Sequence, residues 1–276
     1  MKLTALILDT LRSRMKTIVV FMSISAFFLV MATIAALLID PVSFLPKTQP
    51  GVAGAPGPGL DISTVPKITA VFLSGLSGFV HFAALLLSVF ATAGVLPATL
   101  ERGAIDLFLS KPVSRNTLLA GRFLGSTTLV LLNTAFFILG MWLIAGIKTG
   151  YWNAAFLTVI PTVTLAFAVI YAAMTALGIS TKSSAATIII VFLHMYILAP
   201  VLAAREHTIF ELITDPTAQW VINAVYYILP KPGQIGETAS TLILGIGTDW
   251  MPLWSSIVFG AAMYVLSMLL LRKKDF

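Results

Sequence analysis

The chain has 276 residues, of which 58% are hydrophobic and only 10% charged, and its mean hydropathy is +0.99. A soluble globular chain carries about 25% charged residues, so this composition excludes an ordinary water-facing domain. It fits a protein whose main solvent is lipid. The absence of cysteine excludes disulfides, thiolate zinc sites, cysteine nucleophiles and iron–sulfur ligation. The net charge of +6 points to basic loops facing anionic lipid headgroups rather than to nucleic acid.

Backbone polar groups inside a bilayer must be satisfied within a helix or a closed barrel. The apolar runs here are continuous and do not alternate in polarity, which selects helices. The expected fold is therefore an all-α integral membrane protein built as one unit over residues 1–276.

The first segment, residues 1–16, is amphipathic. Leu3, Leu6, Ile7 and Leu11 share one helical face, and Lys2, Asp9, Arg12, Ser13 and Lys16 gather opposite. Arg14 falls on the apolar side, from which it can snorkel to headgroups. This pattern predicts an interfacial helix on the membrane surface. The apolar run that follows is too long for a signal-peptide core and lacks a small-residue cleavage site, so it reads as a retained anchor.

A helix needs about 20 apolar residues to cross the hydrocarbon core. Six spans are predicted, near Ile18–Ile39, Ile68–Leu96, Leu124–Ile147, Phe156–Ile179, Ala185–Leu202 and Pro252–Leu271. The second is long enough to tilt, and only Ser180–Ser184 joins the fourth to the fifth. Lysines and arginines number twelve on one set of connections and five on the other. Positive residues stay inside, which makes both termini cytoplasmic.

The first external loop, Asp40–Lys67, contains the run Pro-Gly-Val-Ala-Gly-Ala-Pro-Gly-Pro-Gly. Such a run packs no core. Residues 97–115 lie between the second and third spans, and Leu100, Ala104, Leu107 and Phe108 recur there at helical spacing, with Glu101, Arg102 and Asp106 supplying charge. Pro112 stops that helix, and Ser114 is placed to cap the next. The segment is either a lever tied to two spans or a plain solvated connection. The last external connection, 203–251, opens a helix at Asp215-Pro216. It places Trp220, Val221, Ala224, Val225 and Ile228 on one stripe, whereas Leu242–Ile246 is too short to span. Re-entrant or interfacial helices are expected there, before the last span, where they would plug an external exit.

The stretch Glu101-Arg-Gly-Ala-Ile-Asp-Leu-Phe-Leu-Ser-Lys-Pro-Val-Ser-Arg115, with Leu119-Ala-Gly-Arg-Phe-Leu-Gly125 behind it, resembles the permease subunits of ABC type 2 transporters. It is most similar to the prokaryotic subgroup linked to nitrous oxide reductase maturation. The segment Tyr226-Tyr-Ile-Leu-Pro230 is similar to that subgroup too. The resemblance implies a coupling helix at Leu100–Leu109 that docks on a separate ATP-binding subunit. Glu101, Arg102 and Asp106 would be its polar contacts, and Gly103 would allow close approach. It further implies a permease homodimer in a prokaryotic inner membrane, with ATP and magnesium bound by the partner, and outward transport or extraction of a lipid-like substrate.

The residues themselves contain no G-x-x-x-x-G-K-[ST] run, so no phosphate-cradling loop is present. No nucleophile triad, H-E-x-x-H or paired intramembrane carboxylate is visible, and no enzymatic activity or bound cofactor is expected of this chain. His81, Asn133 and His194 fall near mid-span, and Ser74, Ser77, Ser88 and Thr92 mark the second span. Buried ionisable groups in spans are functional candidates. These three residues either line a translocation path or make ordinary interhelical hydrogen bonds. His207 and Glu211, four apart, are two ligands at most and read as a solvated helical face. Gly121 and Gly125 form a G-x-x-x-G at the start of the third span, a weak packing signal in that position. The other functional reading is a membrane scaffold that transports nothing. A secondary transporter is disfavoured, because the predicted spans carry no Asp, Glu, Lys or Arg in mid-membrane for ion coupling.

Overall fold

The computed structural model of the chain describes residues 2–13, 15–38, 64–93 and 114–273. The described residues are helical with no strand among them. In chain order they form α1 (Lys2–Ser13), α2 (Met15–Leu38), α3 (Thr64–Thr92) and α4 (Arg115–Thr149). A 3-10 turn, Ala154–Thr158, leads into α5 (Val159–Thr181). Then come α6 (Ser184–Ala203), α7 (Ile209–Leu212), α8 (Pro216–Ile228), α9 (Pro232–Leu244) and α10 (Met251–Arg272). Among the described residues, six helices are long and apolar enough to cross a membrane: α2, α3, α4, α5 with its leading turn, α6 and α10. The protein is a multi-pass all-α membrane protein, as the composition requires.

The caps follow the local chemistry. Ser114 is extended, and its hydroxyl accepts the Thr117 N–H at 3.1 Å, opening α4. Asp215 accepts the Ala218 N–H at 2.9 Å with Pro216 behind it, opening α8. Between α5 and α6, Lys182 takes the left-handed conformation at φ 56° and Ser183 caps the next helix through the Ala186 N–H. Span boundaries agree with the apolar runs to within about three residues except at α3, which runs Thr64–Thr92 rather than Ile68–Leu96 with residues 94–96 outside the described ones, and at α4, which begins at Arg115 rather than Leu124. Apolar counting does not register a capped polar turn that precedes the membrane. At 35 residues and 1.5 Å per residue, α4 is about 52 Å long, more than a bilayer core requires.

α5 is the central helix. It packs against α3, α4, α6, α9 and α10, and Phe167, Ile170 and Val163 on it are fully buried. Small residues let the neighbours close in: a Cβ on Gly260 of α10 would sit 3.1 Å from Val169. α2 is the opposite case. Only 11% of its spanning window is buried, and Phe27, Val30 and Leu37 point away from the protein.

α1 does not simply lie on a surface. It seats on the first turns of α4, where Gly121 and Gly125 form its groove. A Cβ at Gly121 would come within 2.5 Å of the Leu6 Cβ, and one at Gly125 within 2.6 Å of the Thr10 Cβ. The weak reading of this G-x-x-x-G is therefore corrected. The pair packs a surface helix rather than another span, so its position at the edge of the membrane is no handicap. Between the glycines, buried Arg122 donates to Thr10 Oγ1 at 3.1 Å and pairs with Asp9 at 3.2 Å. Arg115 donates to the Leu271 carbonyl at 3.2 Å. One end of the bundle thus joins α1, the start of α4 and the last turn of α10. The opposite, far end holds the last turn of α4 and the first turn of α10.

Candidate functional site

α6 is not a regular helix. His194–Leu198 is a π turn between the α-helical pieces Ser184–Leu193 and Ala199–Ala203. Pro200 is the physical cause. It has no N–H to give the Tyr196 carbonyl, and its ring clashes there, so the ladder slips and the Ala199 N–H bonds to the His194 carbonyl. π turns inside helices often mark functional sites. This one turns His194 and Tyr196 inward, and the Tyr196 hydroxyl donates to the Phe82 carbonyl of α3 at 3.2 Å.

Both intramembrane histidines grip the same piece of chain. His81 Nε2 lies 2.7 Å from the Pro232 carbonyl, and His194 Nε2 lies 3.1 Å from the Pro230 carbonyl. A carbonyl only accepts, so each ring carries its proton on Nε2. His81 is 5% exposed, and its Nδ1 has no partner among the described residues. Gly236 lets the ring approach, because a Cβ there would stand 2.7 Å from His81 Cγ and Cδ2.

These contacts fix the path of the last connection. Pro232 meets His81, and Ser240 meets Ser77 at 2.9 Å, so α9 runs antiparallel to α3. The tip Leu229–Pro232 therefore sits beside the middle of α3 and α6. α8 leads to it and α9 leads away to the far end, where Asn153 donates to the Ile243 carbonyl at 3.2 Å. The connection is a re-entrant hairpin wedged between spans. The apolar stripe of α8 faces outward, with Trp220, Val221, Val225 and Ile228 exposed. Its polar residues Asn223 and Tyr226 face the protein, which is the arrangement lipid demands.

Two cations missed in the sequence stabilise the hairpin. Arg205 is 5% exposed and Lys231 is 4% exposed. The Arg205 guanidinium stacks 3.5 Å from the centre of the Tyr226 ring, and the Lys231 ammonium lies 4.5 Å from it. Arg205 also donates to Asn223 at 2.6 Å, the Leu202 carbonyl at 3.3 Å and Glu206 at 2.9 Å. Lys231 donates to Ser255 at 2.9 Å and the Leu229 carbonyl at 3.3 Å. The only hint in the sequence was a lysine between two prolines.

Asn133 stands apart from the histidines: it accepts from Ser25 at 3.1 Å and ties α4 to α2. His81 and His194 come together; Asn133 does not join them. His207 is in a turn before α7 rather than on one helix with Glu211. No group of three or more metal-ligating side chains occurs among the described residues. Glu101, Arg102, Gly103 and Asp106 lie outside the described residues. No protein-family model matches the chain, and no curated protein matches it either.

Proposed function

We propose that this chain is the membrane-embedded permease subunit of an ABC-type exporter. It works as a pair and is driven by ATP hydrolysed, with magnesium, in a separate ATP-binding subunit. The observation that carries the reading is the continuity of α4. It is capped at Ser114, directly behind the Glu101–Arg115 block that resembles a coupling helix, and runs unbroken to the far end. Force delivered to that block passes into one rigid rod. At its base the same rod holds α1 through Arg122–Asp9 and α10 through Arg115.

In this reading the terminal end faces the cytoplasm, in keeping with the lysine and arginine bias. The hairpin α8–α9 closes the outer side. Its tip meets α3 and α6 through two histidine–carbonyl bonds, while Lys231 ties it to Ser255 of α10, which suits an element that parts from α3 and α6 and keeps its hold on α10. His81 and His194 serve as the latch, and Glu101, Arg102, Gly103 and Asp106 form the docking contact.

The test is reconstitution with the ATP-binding subunit that co-purifies with the chain. Glu101→Lys with Arg102→Glu should leave that subunit's basal ATPase running while substrate flux falls to background. Full flux with both charges reversed would overturn the coupling role. His81→Phe should abolish flux but spare assembly with the partner, and unchanged flux would end the latch reading. Labelling of cysteines introduced at 97–115 from outside intact cells would refute the topology.

A further inference from the structure

A cavity of about 300 Å³ opens at the far end beside the hairpin, lined by Arg205, Glu206, His207, Tyr226, Gln234 and Asp249, among others. Its charge is arranged by depth. Arg205 is buried and engages three of its N–H groups with Asn223, Leu202 and Glu206, whereas a guanidinium has five to give. Beyond the Tyr226 ring, buried Lys231 meets no carboxylate among the described residues. The carboxylates lie outward: the Glu206 side chain is 61% exposed and Asp249 is exposed, one of its oxygens accepting the Met251 N–H at 2.9 Å.

A bare anion would meet Glu206 and Asp249 on its way in, and a bare cation would be repelled by Arg205 in the wall and by the field of Lys231 behind the Tyr226 ring. The complement of this cavity carries both signs, anion inward and cation outward. Exposed Trp220, Trp250 and Trp254 stand at the same end, and such aromatics settle at headgroup level.

We propose that this cavity binds the headgroup of a zwitterionic phospholipid, with the phosphate toward Arg205 and the ammonium toward Glu206 and Asp249. The buried Arg205 guanidinium answers phosphate oxygens, and the rim carboxylates select a headgroup bearing an amine. The site does not depend on the transport reading, because it needs neither a partner subunit nor ATP.

Native mass spectrometry of the purified protein in detergent tests it, titrating phosphatidylethanolamine and phosphatidylglycerol of matched acyl chains. Phosphatidylethanolamine should bind saturably and about tenfold more tightly, the scale of one charge-assisted contact. Glu206→Gln with Asp249→Asn, both at exposed positions and keeping an acceptor oxygen at each, should erase that preference while phosphatidylglycerol binding persists. Soluble O-phosphoethanolamine separates the sources. Competition by it shows that the headgroup chemistry suffices, and failure to compete shows that the acyl chains contribute; both agree with a site for this headgroup. Equal binding of the two lipids by the unaltered protein, or an unchanged preference in the double variant, would overturn the proposal.

Discussion

Gly236 is where the hairpin is most exposed to a single methyl group. In Gly236→Ala the new Cβ would lie 2.7 Å from two His81 ring carbons and 3.0 Å from Nδ1, against about 3.5–4.0 Å for carbon atoms in contact. The ring or the helix must therefore move by about 1 Å. The ring has little freedom, because Nε2 is bonded at 2.7 Å to Pro232, at the base of the same helix. Overpacking costs about 1–3 kcal/mol, and loss of the bond to Pro232 adds about 0.5–1.5 kcal/mol. The better helix propensity of alanine returns about 0.5–1 kcal/mol. The net expectation is a loss of about 2 kcal/mol, within a span of about 0.5–4 kcal/mol. Gly233→Ala is the control on the same helix, since nothing lies within 4 Å of its Cβ, and it should be neutral or stabilising. Denaturant unfolding of the purified variants in detergent measures both. The double variant Gly236→Ala with His81→Ala completes a cycle: without the ring, the alanine should no longer destabilise. If Gly236→Ala is as stable as Gly233→Ala, or if its effect persists without the His81 ring, the described packing of the hairpin on α3 is refuted.

Gly125→Val should unseat α1, since the first added carbon already meets Thr10 at 2.6 Å; limited proteolysis would then cut within residues 2–13 faster than in the parent, and equal protection would count against the seat. Lys182→Gly should stabilise by about 1 kcal/mol, because φ 56° is strained for a residue with a Cβ, and thermal unfolding at fixed detergent shows whether it does.

Much of the architecture is local and so was legible. Six apolar runs of sufficient length, the tight link at Ser180–Ser184, and the caps at Ser114 and Asp215–Pro216 depend on near neighbours alone, and the structure has them all, with the ends of α3 and α4 displaced from the apolar runs. Candidate site residues were less accessible. A histidine in a span announces itself by its rarity, but nothing near His81 or His194 in sequence says that both meet carbonyls flanking Lys231, far along the chain. Pro200 was visible, whereas the π turn it imposes, and the inward swing of His194 and Tyr196, required the packed helix.

The sequence by itself determined that lipid is the solvent and how many times the chain can cross it. It did not determine which side of each helix faces protein. In water, apolar periodicity separates inside from outside; in lipid both sides are apolar, so α2 and α5 read alike although one is nearly all exposed and the other half buried. Tertiary structure decided the seat of α1 on Gly121 and Gly125, the burial of Arg205 and Lys231 around Tyr226, and the depth of the hairpin tip. Each of these depends on close approach or charge pairing between residues distant in the chain, and local pattern carries no information about such contacts.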